Sequence, residues 1–200
     1  MLLAARGTVQ LAEGRNKDAL SDFTACGAAP AFEHMASPAV LHWRAMAAFA
    51  ATGCGRPDLA GSLADGERQA AKQYATPAGL GYALYVKAMV AGRGGTLTLL
   101  PDAVHLLEVA GARVELATAC PELGRAWLAA GDFAKAAVHL SRAAELSRQI
   151  GDRRSAVEIG LELRKVTDAP IAESSLPRNT VSPARPMRAS ATRRSRRGSG

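Results

Sequence analysis

Apolar positions recur every three or four residues through most of residues 1–166, and glycine, proline or aspartate interrupts the pattern at helix-length intervals. That period predicts helices near 1–13, 17–27, 38–52, 57–74, 77–91, 98–110, 113–130, 133–150 and 153–166. Pro38, Pro77 and Pro101 suit the first turn of a helix, where a missing N–H is no loss. Gly14, Gly53 and Gly131 fall where the chain must reverse, and glycine reaches the left-handed conformation there without strain. Short turns between amphipathic helices give antiparallel hairpins, and no segment reads as a strand-rich domain. After Val166 the helical period stops. Residues 167–200 hold Pro170, Pro177, Pro183 and Pro186 and no aromatic residue, the composition of a disordered tail.

The chain resembles itself. Gly7, Gly14, Ala19, Phe23 and Cys26 recur as Gly124, Gly131, Ala136, Leu140 and Ala143, all at an offset of 117 residues, and Leu11-Ala12 recurs as Leu128-Ala129. The offset equals three units of 39, which leaves room for two degenerate hairpins at 38–74 and 77–110. The second copy, Leu123-Gly124-x-x-Trp127 followed by Gly131, Phe133, Ala136 and Leu140, resembles the tetratricopeptide pattern, whose period is usually about 34 residues. The small Gly124 and Ala136 let two helices approach closely. Trp127, Phe133 and Leu140 are expected to fill the space around that contact, and Gly131 to turn the chain. The expected architecture is all-α: a tetratricopeptide-like solenoid of helical hairpins over 1–166, with a last helix at 153–166 and a disordered basic tail over 167–200.

Composition supports helices. Alanine supplies 43 of the 200 residues and aromatic residues only nine, a balance that disfavours sandwiches, barrels and doubly wound sheets. The net charge of +7 suggests nucleic acid until it is located. No acidic residue follows Glu173, and residues 174–200 hold seven arginines, so residues 1–173 are formally neutral. The run Arg193-Arg194-Ser195-Arg196-Arg197 could hold phosphates through counterion release, but it lacks aromatic residues to stack on bases, so any such contact would be non-specific; a solvated end with no selected role is the favoured alternative. Three cysteines, Cys26, Cys54 and Cys120, form no framework and no CxxC pair and fit a reducing compartment. The apolar run at Leu2–Ala5 is too short for a signal peptide, and the longest uncharged stretch, residues 73–86, is too short for a membrane span. A cytoplasmic protein with no membrane contact is expected.

No constellation in the sequence points to catalysis, a metal or a cofactor. His34, His42, His105 and His139 are scattered and read as isolated surface or packing histidines. Gly92, Gly94 and Gly95 lack the Gly-Lys-Ser/Thr of a phosphate loop and read as a turn. A non-enzymatic protein is expected. The inner face of a solenoid is its usual binding surface, and in tetratricopeptide register Thr8, Leu11, Ala12, Thr118, Arg125, Leu128 and Ala129 would line it. The alternative, that these residues pack the next hairpin, carries equal weight. The partners this implies are a protein or peptide, or a second copy joined through solenoid ends that lack polar caps.

Three stretches in order carry a family resemblance. They are Leu2-Leu3-Ala4-Ala5-Arg6-Gly7 running on to Cys26-Gly27, then Pro38-Ala39-Val40-Leu41-His42-Trp43-Arg44, then Arg113-Val114-Glu115-Leu116-Ala117 running on to Ala143. Together they resemble the helical-repeat region before the DNA-binding domain of the large ATP-binding LuxR-family transcriptional regulators, common in actinobacteria. The resemblance implies a region that relays ligand or partner binding to a helix-turn-helix. It also implies a truncated or degraded regulator, because no Walker motif occurs and the onset Thr180-Val181-Ser182-Pro183-Ala184 leads into no helix-turn-helix. The alternative is a stand-alone tetratricopeptide-like adaptor.

Codon degeneracy permits a helix-turn-helix-like reading, Ala-Gly-Gln-Arg-Asn-Pro-Glu-Ile-Ala-Ala-Arg-Leu-Gly, from the third base of the Met187 codon. Sequencing the gene through codons 180–200 is expected to show that core in the shifted frame. Stop codons or unrelated residues there would remove the frameshift explanation of the tail.

Overall fold

A computed structural model describes residues 2–29 and 42–168. The tail, His34 and Pro38 lie outside the described residues. Nine helices occur among the described residues: α1 (Leu2–Ala12), α2 (Asn16–Gly27), α3 (Trp43–Gly53), α4 (Pro57–Tyr74), α5 (Pro77–Ala91), α6 (Arg93–Ala110), α7 (Arg113–Ala129), α8 (Phe133–Gln149) and α9 (Arg153–Thr167). Each packs chiefly on the helices before and after it, which is a helical-repeat arrangement. No described helix is long and apolar enough to cross a membrane.

Five of the connections use one turn. The chain leaves each helix through a glycine of positive φ (Gly14, Gly55, Gly111, Gly131 and Gly151), and the next amide reaches back to a carbonyl five residues earlier. Arg15 N–H donates to the Gln10 carbonyl at 2.8 Å, and Asp132 N–H to the Trp127 carbonyl at 3.0 Å. Asp132 and Asp152 then cap α8 and α9 by accepting from the Lys135 and Ser155 amides, each at 3.0 Å. Gly53 departs from expectation. It is the last residue of α3, and the left-handed residue is Gly55. A Cβ on Gly53 would stand 2.4 Å from the Asn16 side chain, so Gly53 serves close approach to α2 and not the turn.

The repeat rests on one packing motif. A Cβ on Gly7 would lie 3.0 Å from the Phe23 ring, and one on Gly124 would lie 2.8 Å from Leu140 Cγ and 3.3 Å from the Ala136 carbonyl. The α5–α6 hairpin repeats this contact: a Cβ on Gly81 would lie 2.9 Å from Leu107 Cγ and 3.0 Å from the Ala103 carbonyl. Ala136 and Leu140 follow Gly124 by 12 and 16 residues, whereas Ala103 and Leu107 follow Gly81 by 22 and 26. The helices of the third hairpin therefore run further beyond this contact before the chain reverses at Gly92, which hides the repeat from a constant-offset comparison. In the second hairpin Ala48, Gly55, Ala60 and Ala64 stand 41 residues beyond Gly7, Gly14, Ala19 and Phe23, not 39. All three of these alanines are fully buried.

Other departures share a cause. Helix α6 begins at Arg93, with Gly94 and Gly95 in its first turn, so only Gly92 makes the connection and Pro101 lies inside the helix. Leu100, Ala103, Val104 and Leu107, all buried, hold that helix together across the lost hydrogen bond. Phe133 is 52% exposed at the first position of α8 and fills nothing. Trp127 is half-buried, with the Lys135 ammonium 4.1 Å above its ring.

The glycine contacts predict opposite responses to one added methyl group. Gly124→Ala and Gly81→Ala are expected to lose about 1–3 kcal/mol, because Cβ would press on a leucine and a carbonyl. Gly61→Ala, in α4 with open space around it, is expected to gain about 0.5–1 kcal/mol. Urea denaturation of the three variants decides the signs.

Candidate binding site

Helix α7 supplies the centre of the surface. Arg125 is half-buried and donates from Nε and Nη2 to both carboxylate oxygens of Glu162 on α9, at 3.0 and 2.9 Å. Its Nη1 donates to Glu122 one turn earlier on α7. These carboxylates raise the guanidinium pKa, the hydrogen bond to Glu162 most strongly. Arg125 thus clasps α9 to α7, and its planar fork is already occupied by carboxylates.

Two clefts flank this cluster. One, of about 380 Å³, is lined by Met89, Thr96, Leu97, Ala126 and Ala129 together with Glu122 and Arg125. The other, of about 370 Å³, is lined by Val114, Thr118, Pro121, Ile150 and Ile159, by the polar Ser147, Asp152, Ser155 and Glu158, and again by Glu122 and Arg125. Each cleft lies beside a proline inside a helix. Pro101 has no N–H for the Leu97 carbonyl and Pro121 none for the Ala117 carbonyl, and Leu97 and Ala117 line the first and second clefts respectively. Both clefts share the ion-paired arginine; the first is walled mainly by apolar side chains, the second by apolar and polar ones together, and each includes a residue whose carbonyl has no helical donor.

The expected inner-face residues divide. Thr118 and Arg125 meet in the second cleft, and Arg125 and Ala129 in the first. Leu128 packs against the larger apolar cluster and Leu11 against the N-terminal one. Thr8 and Ala12 are exposed on α1, and Thr8 Oγ1–H donates to the Ala4 carbonyl at 2.9 Å.

A second polar cluster was not legible from spacing. Glu67 on α4 is 1% exposed, and His42 Nδ1–H, just before α3, donates to its Oε1 at 2.8 Å. The Tyr82 ring of α5 lies 4.2 Å from the His42 ring, centroid to centroid. Burial, then Glu67 and Glu115, push the Tyr82 hydroxyl up to about 12. His42 is thus not an isolated histidine; it links three successive helices. The available signal was the repeat register, in which Glu67 takes the position of Cys26 and Ala143.

The remaining chemistry is quiet. Burial pushes the Cys120 thiol up to about 12, which keeps it protonated at neutral pH. His139 is shifted down by burial. Among the described residues no group of three or more His, Cys, Asp or Glu side chains is placed to hold a metal ion. No protein-family model matches the chain, and no curated protein is significantly similar to it.

The carboxylates set an acid limit. Asp22 accepts two hydrogen bonds from Arg6, at 2.6 and 2.7 Å, and these hold its pKa below the ordinary value. The cap hydrogen bonds, chiefly those from Lys135 and Ser155, do the same for Asp132 and Asp152. A carboxylate depressed in the folded state contributes stability above its unfolded pKa of roughly 3.9 and loses it as pH falls through the folded value. The urea midpoint is expected to change little from these groups between about pH 7 and 5 and to fall below about pH 4. Asp22→Asn is expected to be less stable at neutral pH and to show a shallower acid slope.

Proposed function

We propose that the helical domain is a non-catalytic, cytoplasmic interaction scaffold. It is the tetratricopeptide-like relay region of a LuxR-type transcriptional regulator, and the α7 clefts take a peptide segment. The observation that carries this reading is the pair of clefts sharing Glu122 and Arg125, each beside a carbonyl deprived of its helical donor. Apolar walls beside an ion-paired carboxylate suit a segment that offers apolar side chains and a hydrogen-bond donor. The regulator assignment is supported by the order of the three stretches described above and by the contact of a helical glycine with a phenylalanine or leucine of the next helix in three hairpins.

Because Arg125 clasps α9, a ligand that competes for Glu122 or Glu162 would loosen α9 from α7. That is a physical route from an occupied cleft to whatever α9 adjoins. In this reading sequence-specific DNA contact belongs to a separate domain, and the arginine run of 193–197 gives only salt-sensitive, non-specific contact.

Random peptides displayed on phage and selected on the full chain test the clefts. Enriched peptides are expected to lose roughly tenfold in affinity to Ala129→Trp or Thr118→Trp, with helicity and urea midpoint unchanged. Failure to enrich, or binders indifferent to both plugs, would remove the reading. Tight duplex binding with sequence preference would instead show that the chain carries its own DNA reader.

A further inference from the structure

Helix α9 is apolar on two opposite faces. Ala156, Ile159 and Val166 are buried against the body of the domain, with Leu163 packed beside them. On the other side Leu161 is 51% and Val157 62% exposed. At 100° per residue, Arg154, Val157, Glu158, Arg164, Lys165 and Asp168 all fall within about 60° of the Leu161 direction. Together they form one stripe running the length of the helix. An exposed β-branched and leucine pair one turn apart is an unusual choice for the solvent face of a helix whose core face is already complete.

The charges along this stripe are arranged for a particular occupant. Place a second α9 antiparallel to the first, about a two-fold axis at Leu161. Leu161 then meets its symmetry mate, and Val157 comes under the aliphatic stem of Arg164 from the other copy. Glu158 falls beside Lys165, and Arg154 beside Asp168, and the two-fold repeats each pair. Every acidic group on the stripe meets a basic one. A parallel arrangement would set Arg154 against Arg154 and Glu158 against Glu158. Helix α1 also exposes apolar residues, Leu2 at 82% and Val9 at 55%. Its outward charged side chains are few, however, and Arg6 is already tied to Asp22 within the chain.

The geometry points to an isologous homodimer formed by antiparallel packing of α9 on α9, with Leu161 at the two-fold axis. The contact closes on itself, so it yields a dimer and not an open chain. In the free protomer Glu158 pairs with Arg154 at 2.8 Å on the exposed surface; the dimer exchanges that pair for Glu158–Lys165 and Arg154–Asp168 across the interface. The interface shares Glu158 with the rim of the second cleft, but its apolar centre, Val157 and Leu161, lies outside both clefts.

Sedimentation and light scattering of the full chain over a concentration series test it. The expected result is a monomer–dimer equilibrium. Leu161→Asp is expected to weaken it at least roughly 100-fold, since two leucines leave the apolar contact and two charges enter it. Glu158→Lys and Lys165→Glu are each expected to weaken it roughly tenfold, because the two-fold axis doubles each lost pair. The double variant is expected to recover most of the loss, which no purely structural effect on the protomer would produce. Val9→Asp on α1 is expected to leave the equilibrium unchanged. A monomer at every concentration, a dimer indifferent to Leu161→Asp, no recovery in the double variant, open-ended growth, or weakening by Val9→Asp would each overturn the inference.

Discussion

The domain depends on how closely its helices can approach, and a repeated contact sets that distance. At Gly7, Gly81 and Gly124 the backbone of one helix lies directly against a phenylalanine or leucine of the next, and Ala19, Ala103 and Ala136 keep the facing helix equally narrow. More than half of the buried apolar residues among the described ones are alanines. Each buried methyl contributes only about 0.8 kcal/mol, so no single alanine decides stability. The gain comes from many short-range contacts that exist only while the backbones stay close. Helix α3 shows the limit of this strategy. Its buried residues are Ala45, Ala47, Ala48, Ala50 and Ala51, and it touches helices on several sides.

Most polar groups that enter this narrow core are satisfied; Gln10 Oε1, buried without a hydrogen-bond partner, is the exception among the described side chains. Glu67 occupies a register position that holds a cysteine or an alanine in two other hairpins, and His42 meets it there. Asp22 is nearly buried but held by the Arg6 fork. Arg125 is balanced by carboxylates on its own helix and on α9. Apart from Arg125–Glu122 within α7, each of these pairs joins different elements of the chain, so each also fixes register that alanine contacts alone would leave free to slide. The same surface logic separates the two candidate interfaces. The α7 clefts are concave and built around an ion-paired arginine, whereas the outer stripe of α9 is apolar at its centre and charged along its length.

Much of the fold was legible because its determinants are local. Apolar spacing located the helices, Gly14 and Gly131 located two of the turns, and the matched set from Gly7 to Cys26 and Gly124 to Ala143 gave the register of the first and fourth hairpins. The third hairpin was not legible in the same way, because extra residues lengthen both of its helices and shift the Gly81 contact to Ala103 and Leu107. Phe133 was misjudged because its position in the repeat says nothing about which side of α8 its ring takes. Of the proposed binding face, Thr118, Arg125 and Ala129 line the two clefts, while Leu11 and Leu128 were claimed by packing.

The sequence by itself determined the helices, the turns at Gly14 and Gly131, the neutral body and the basic tail, since backbone preference and side-chain charge are properties of a few adjacent residues. Only the tertiary structure decided that His42 belongs with Glu67 across 25 residues and that Arg125 holds Glu162 across 37. It also decided that α6 keeps Pro101 in its interior. Those outcomes depend on which surfaces meet after the helices dock. Docking is set by the sum of many small alanine and glycine contacts, whose partners lie far apart in the chain.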